Sequence, residues 1–218
     1  NLAATDQATD TPTNNFCTFN PLIAPEKRLV LSEGNTVATY NGAYWGTAAG
    51  TFSVNKGKWY WECKMSVVGW NFNHGVLAES VNLATANPMN QTGYTGFYNY
   101  DGGEMKKDAS DTTANYGTFG TGNVMGIALN MDDKQISIYK DGSAIVSNYA
   151  LSTTITGEAF PITVSYNQDS PVSNYNFGGC SGFTISSSAN DENGYGNFEH
   201  APPSGYYSLC TKNLAEFG

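Results

Sequence analysis

A two-residue rhythm of apolar side chains recurs along this chain, and no helical rhythm of comparable length interrupts it. In residues 58–65, Trp59, Trp61, Cys63 and Met65 fall on one face of an extended segment, with Tyr60, Glu62 and Lys64 on the other. In residues 124–131, Met125, Ile127, Leu129 and Met131 make a continuous apolar face opposite the small Gly126 and Ala128. Such alternation marks strands with one face buried. Asp132-Asp133-Lys134 then offers turn chemistry, and residues 135–139 return with Ile136 and Ile138 facing inward, which predicts a hairpin. Lys140-Asp141-Gly142 makes the next turn, and Phe160, Ile162, Val164 and Tyr166 repeat the alternation. Pairing one apolar face with a more polar one predicts an all-β sandwich of two antiparallel sheets packed face to face. The best helical candidate, residues 79–87, is short and ends before Pro88.

Composition fits short strands joined by tight turns. Gly (24) and Tyr (14) are abundant, and only 13% of the residues are charged. A chain of 218 residues is long enough to bury a core and short enough to be one domain. Ten basic residues scattered among nineteen acids give a net charge of −9, which argues against a nucleic-acid surface. The longest basic pair, Lys106-Lys107, reads as a solvated strand or turn face. No apolar run approaches ~18 residues, so no membrane insertion is expected. The chain starts at Asn1 rather than Met and is read as a processed form or a segment of a longer polypeptide.

Residues 1–15 are polar and aperiodic, a linker or arm ordered only if it docks. The sandwich is expected over residues 16–212, with 213–218 as a tail. Four cysteines are too few and too dispersed for a disulfide scaffold or a zinc site. Cys63 reads as a small buried hydrophobe. Cys17 and Cys210 lie near the two ends, which a sandwich can bring together, and both a bridge and free thiols stay open there. No metal or cofactor is expected.

Several segments in order resemble the SPRY (B30.2-like) family. They are Leu31-Ser-Glu-Gly-Asn35, a strand at Trp45, and Gly57-Lys58-Trp59-Tyr60-Trp61-Glu62. Next come Gly122 to Met131 and the stretch from Asp132 to Gly142, with its hydrophobic-Ser-hydrophobic-Tyr-Lys-Asp-Gly pattern. Phe160-Pro161 and Asn176-Phe177-Gly178 close the series. Asn123 stands where the family more often has Asp. The resemblance covers residues 16–209 and implies a concanavalin-like jelly-roll sandwich that binds partners through loops at one end. The flanks, Thr11 to Phe16, Asn20-Pro21-Leu22, Gly205-Tyr206 and Leu209 to Leu214, look similar to SPRY modules of bacteriophage structural proteins. That likeness implies a virion component (fibre, spike or decoration protein) made in the host cytoplasm.

The search for chemistry finds little. His74 and His200 lack a nucleophile motif, and no phosphate loop or metalloprotease helix occurs. His74 is expected as a surface imidazole in a loop between strands. Glu62 is expected to be solvated or paired across strands, and no paired acids suggest glycoside hydrolysis. The acidic run Asp191-Glu192-Asn193-Gly194 lacks calcium-loop spacing and reads as a loop. Three segments rich in aromatic and amide residues remain as binding loops. The first holds Trp70, Asn71, Phe72, Asn73 and His74; the second Tyr94, Phe97, Tyr98, Tyr100 and Asp101; the third Tyr116 and Phe119. Tyr and Trp rings stack on sugars or anchor proteins while amides adapt their hydrogen bonds. The expectation is a non-catalytic module recognising a host-surface glycan or protein. One alternative is an architectural subunit docking neighbouring virion subunits or its own copies as a homo-oligomer. The other is a glycan-acting enzyme.

Overall fold

The computed structural model describes residues 11–23, 29–41, 45–68, 71–82, 87–100, 102–111, 114–166 and 170–218. Among them the strands are β1 (Leu29–Ser32), β2 (Val37–Tyr40), β3 (Trp45–Ala49), β4 (Lys58–Val67), β5 (Asn71–Ala78), β6 (Tyr94–Tyr98) and β7 (Glu104–Lys107). They continue as β8 (Ser110–Asp111), β9 (Val124–Asn130), β10 (Gln135–Lys140), β11 (Ser143–Ala150), β12 (Ala159–Tyr166), β13 (Val172–Asn176) and β14 (Tyr207–Ser208). One sheet runs β1-β2-β13-β4-β9-β10-β11, with β14 added in parallel to β4. The other runs β3-β12-β5-β6-β7-β8. All other pairings are antiparallel, and the two sheets form a SPRY-like β-sandwich.

The alternation read in the sequence builds the interior. Trp59, Trp61, Cys63 and Met65 of β4, Met125, Ile127 and Leu129 of β9, and Ile136 and Ile138 of β10 are fully buried in one cluster. Phe72, Val76 and Ala78 of β5 meet them from the facing sheet, with Phe97 of β6 and Met105 of β7. The β9–β10 hairpin pairs Asn130 with Gln135 and Met125 with Lys140. The β10–β11 turn places Asp141 (φ 46°) and Gly142 (φ 79°) in the left-handed region, as a two-residue hairpin turn requires.

Three expectations are corrected. The apolar side of β12 does not face the interior. Ile162 and Val164 join Leu77, Met89, Tyr94 and Tyr98 in a second cluster on the outward face of the six-stranded sheet. Thr163 and Ser165, the small polar alternates, point inward and are buried. A sheet covered on both sides buries both sets of alternates, so polarity alone does not tell which is the inner one. The helix expected over 79–87 does not form in its described part. Glu79 N donates to Glu158 O (3.0 Å), Val81 N donates to Ala78 O (3.1 Å), and Pro88–Asn90 is a single 3-10 turn; residues 83–86 lie outside the described residues. Residues 213–218, expected as a tail, belong to helix α1 (Thr211–Phe217) and its cap Gly218. Phe217 stacks on Tyr207 (4.0 Å between ring centroids), and Leu214 packs against the main cluster.

The termini lie together. Phe16 bridges Cys210, Cys17 N donates to Leu209 O (2.9 Å), and Thr211 N donates to Asn15 O (2.9 Å). Residues 11–15 of the polar arm are therefore docked. Cys17 and Cys210 are backbone neighbours, yet both are buried free thiols.

Glu62 is a fourth correction in part: it is fully buried rather than solvated, while the expected cross-strand pairing forms with Asn176 of β13. Residues 181–210 run across the outward face of the eight-stranded sheet, where Phe198 packs edge-on against Tyr60 (5.2 Å). The carboxylate holds this strap. Its Oε1 accepts from His200 N (2.7 Å) and the Tyr60 hydroxyl (3.3 Å), its Oε2 from Glu199 N (2.9 Å) and Asn176 Nδ2 (3.1 Å). Asp191 anchors the far end, accepting from Ser208 N (2.9 Å), Ser208 Oγ (2.8 Å), Asn213 Nδ2 (2.8 Å), Asn193 N (3.0 Å) and Tyr195 N (2.9 Å). Its two oxygens are thus occupied by donors from the chain itself.

Removing the Glu62 carboxylate leaves buried backbone N–H groups without acceptors. Glu62→Ala is expected to lower the unfolding free energy by about 3 kcal/mol. Amide exchange at Glu199 and His200 should accelerate ahead of global unfolding. Burial raises the Glu62 pKa above its ordinary 4.5. Its contribution is then fully present below pH 4.5 and lost as pH rises through the raised value. The stability of wild type relative to Glu62→Gln should therefore fall as pH increases, checked by urea unfolding of both proteins across that range.

Candidate functional site

The strand β5, which opens the first expected loop, divides its residues between two surfaces. Phe72 and His74 point inward, while Asn73 lies on the outward face with its cross-strand neighbours Val164 and Tyr98. The stretch expected as a loop at 70–74 is therefore strand from Asn71 onward, because residues 71–78 pair along their whole length with β12. Tyr94 and Tyr98, also expected in a loop, sit in β6 on the same outward face as Asn73. Gly96 between them is strand rather than turn. Tyr100 follows β6, is 41% exposed, and stacks on Tyr98 (5.3 Å, 18°). Tyr116 packs partly buried against the interior cluster, and its N–H donates to Gly103 O (2.8 Å), while Phe97 and Phe119, expected in the same loops, are interior side chains. Trp70 and Asp101 lie outside the described residues.

His74 is corrected most fully. It is completely buried, not a surface imidazole. Its Nδ1 lies against the Tyr175 hydroxyl and 3.5 Å from Thr163 Oγ1, whose oxygen is 2.5 Å from the Tyr40 hydroxyl. Its Nε2 is 3.9 Å from Cys63 Sγ. A thiol beside an imidazole invites a nucleophile-and-base reading. Desolvation opposes it from both sides. It pushes the imidazole down to about 3 and the thiol above its ordinary range, so both groups are neutral. The cluster is a polar knot inside the sandwich that ties β4, β5, β12, β13 and β2 together.

Because the His74 pKa is depressed from 6.5 to about 3, its contribution is present above pH 6.5 and lost as pH falls through that window. The loss approaches about 1.4 kcal/mol per pH unit below 6.5. Urea unfolding at a series of pH values should show that slope in wild type and lose it in His74→Phe, after other titrating groups are subtracted through the difference between the two proteins.

What the sequence candidates share lies on the outward face of the six-stranded sheet. Register places residues in rungs across the strands. One rung is Thr47, Val164, Asn73, Tyr98 and Glu104; the next toward the chain connections holds Trp45, Tyr166 and Asn71. The Trp45 and Tyr166 rings sit 5.4 Å apart. Tyr98 carries Lys106 Nζ 5.5 Å over its ring. Trp45, Thr47 and Tyr166 were missed as site residues, since only the long-range β3–β12–β5 pairing sets them beside Asn73. Here two aromatic pairs flank a polar rung at the end of the sheet where β3 and β5 begin and β6 and β12 finish. Flat rings, amides and hydroxyls of this kind suit contacts with a partner's apolar faces and hydrogen-bonding groups.

Two solved structures share the architecture. The SPRY domain of human HERC1 superposes with a TM-score of 0.60 at 17% identity, covering 72% of this chain and 96% of that one. The PSpry domain of TRIM65 superposes with a TM-score of 0.57 at 12% identity, covering 73% and 88%. At these identities the likeness is one of fold. No curated protein matches in sequence. The profile of the SPRY domain family matches residues 58–179, more than half of the chain, from the tryptophan-rich strand β4 to the turn after β13. The chain belongs to the SPRY domain family.

Proposed function

We propose that this chain is a non-catalytic binding module of a phage virion, recognising a host-surface protein or glycan through the outward end of its six-stranded sheet. The observation that carries the reading is the two aromatic pairs there, Trp45 tilted against Tyr166 and Tyr98 stacked with the exposed Tyr100. SPRY domains generally mediate protein–protein interactions, which favours binding over turnover. The virion assignment leans on the flanking strings similar to phage SPRY modules. Those flanks form one structural unit, residues 11–16 joined to residues 209–212.

A second reading has its own observation. Register aligns Val30, Thr39, Val172 and Val67 in a row across the eight-stranded sheet. Val30 is 50% and Val67 39% exposed. An apolar row of this kind suits docking against neighbouring virion subunits or further copies of the chain.

Tyr100→Ala is expected to weaken retention on arrayed glycans or immobilised bacterial envelope protein by about tenfold or more, with little change in the unfolding midpoint. Small-angle scattering on the same samples gives the assembly state. Retention independent of Tyr100 would remove the binding surface from this face. A stable oligomer that retains neither probe, and that dissociates on Val30→Glu, would establish the architectural reading instead.

A further inference from the structure

We infer that Asn73, with Thr47 and Tyr94 beside it, is a polar subsite for a neutral, hydroxyl-rich ligand, one sugar residue of a glycan. The inference rests on the outward face of the six-stranded sheet being the binding surface. Thr47 Oγ1, both side-chain polar atoms of Asn73 and the Tyr94 hydroxyl are buried there without a hydrogen-bond partner. Thr47 and Asn73 share one rung across β3, β12 and β5. Tyr94 reaches toward the same place: a Cβ added to Gly96, in the adjoining rung, would run into its hydroxyl.

The fold does not need these groups. Val164 sits between Thr47 and Asn73 on that rung, and Leu77 and Ile162 occupy neighbouring positions, so apolar side chains fit this face. Each buried polar group left unsatisfied costs about 1–3 kcal/mol, and native proteins keep few of them. Several on one face of one sheet mark a place where stability is given up for another purpose.

The chemistry of the set names the ligand class. An amide presents a donor and an acceptor side by side, and each hydroxyl can act as either. That matches the adjacent hydroxyls of a pyranose. None of the unpartnered groups carries a charge, and a chain of net charge −9 repels anionic ligands. The flanking rings of Trp45, Tyr166 and Tyr100 offer the flat apolar faces on which the C–H side of a sugar packs. Tyr100 is the exposed member of the rim.

The test compares wild type, Asn73→Leu and Tyr100→Ala on an array carrying neutral gluco-, galacto- and manno-oligosaccharides beside sialylated and sulfated ones, with thermal unfolding of each protein. Wild type should bind at least one neutral saccharide. Asn73→Leu should unfold about 2–4 °C higher, because an unsatisfied amide is replaced by an apolar group, and bind that saccharide about tenfold or more weakly. A lower midpoint for Asn73→Leu, unchanged binding by that variant, or wild-type binding confined to anionic glycans overturns the subsite. Capture of an envelope protein that depends on Tyr100, with no neutral saccharide bound, overturns the subsite and leaves the binding surface standing. Indifference of all binding to Tyr100 removes both.

Discussion

The strand β4 is buried on both faces, and the rest of the structure is arranged around that constraint. Its Trp59, Trp61, Cys63 and Met65 fill the space between the sheets, so the facing sheet must supply apolar area of matching extent, which β5, β6 and β7 do. Its other face presents Tyr60 and Glu62, and a carboxylate there can be tolerated only if donors surround it. The strap from residue 181 to 210 supplies them through Glu199 N and His200 N, with Asn176 Nδ2 from β13. One strand therefore organises the hydrophobic interior and fixes the course of the strap that follows β13.

This arrangement leaves the two sheets unequal. The outward face of the eight-stranded sheet is occupied over its centre by the strap, through Phe198 on Tyr60 and Ala128. The outward face of the six-stranded sheet carries a second cluster around Leu77, Met89, Tyr94, Tyr98, Ile162 and Val164, itself buried, with its polar rung and aromatic pairs at one end. We propose partner recognition at that end, where Tyr100 is exposed. The polar knot around His74 lies on the other side of the same strand, sealed in the interior. Alternation along β5 thus sends successive side chains to opposite faces of the sheet.

Much of the fold was legible in the sequence. The alternation in β4, β9 and β10 and the turn residues between β9 and β10 are local, and local geometry with the hydrophobic effect decides them. The segments from Gly57 to Glu62 and from Asp132 to Gly142 carried the family resemblance. Less of the site was legible. Tyr100 lies past the end of β6, where a loop is expected, but Phe72, His74, Phe97 and Phe119, expected in binding loops, are interior side chains. Trp45 and Thr47 were not connected to Asn73, because their adjacency passes through β12, more than a hundred residues away in the chain.

The sequence by itself determined that this chain forms antiparallel strands with paired faces, since side-chain period and turn chemistry are properties of a few neighbouring residues. Only the tertiary structure decided which face is inside, that Glu62 and His74 are buried, and which residues make the outward rung. Those outcomes depend on what covers each sheet and on pairings between distant strands. Polarity at alternate positions encodes that two faces differ; the layer packed against each one decides what the difference means.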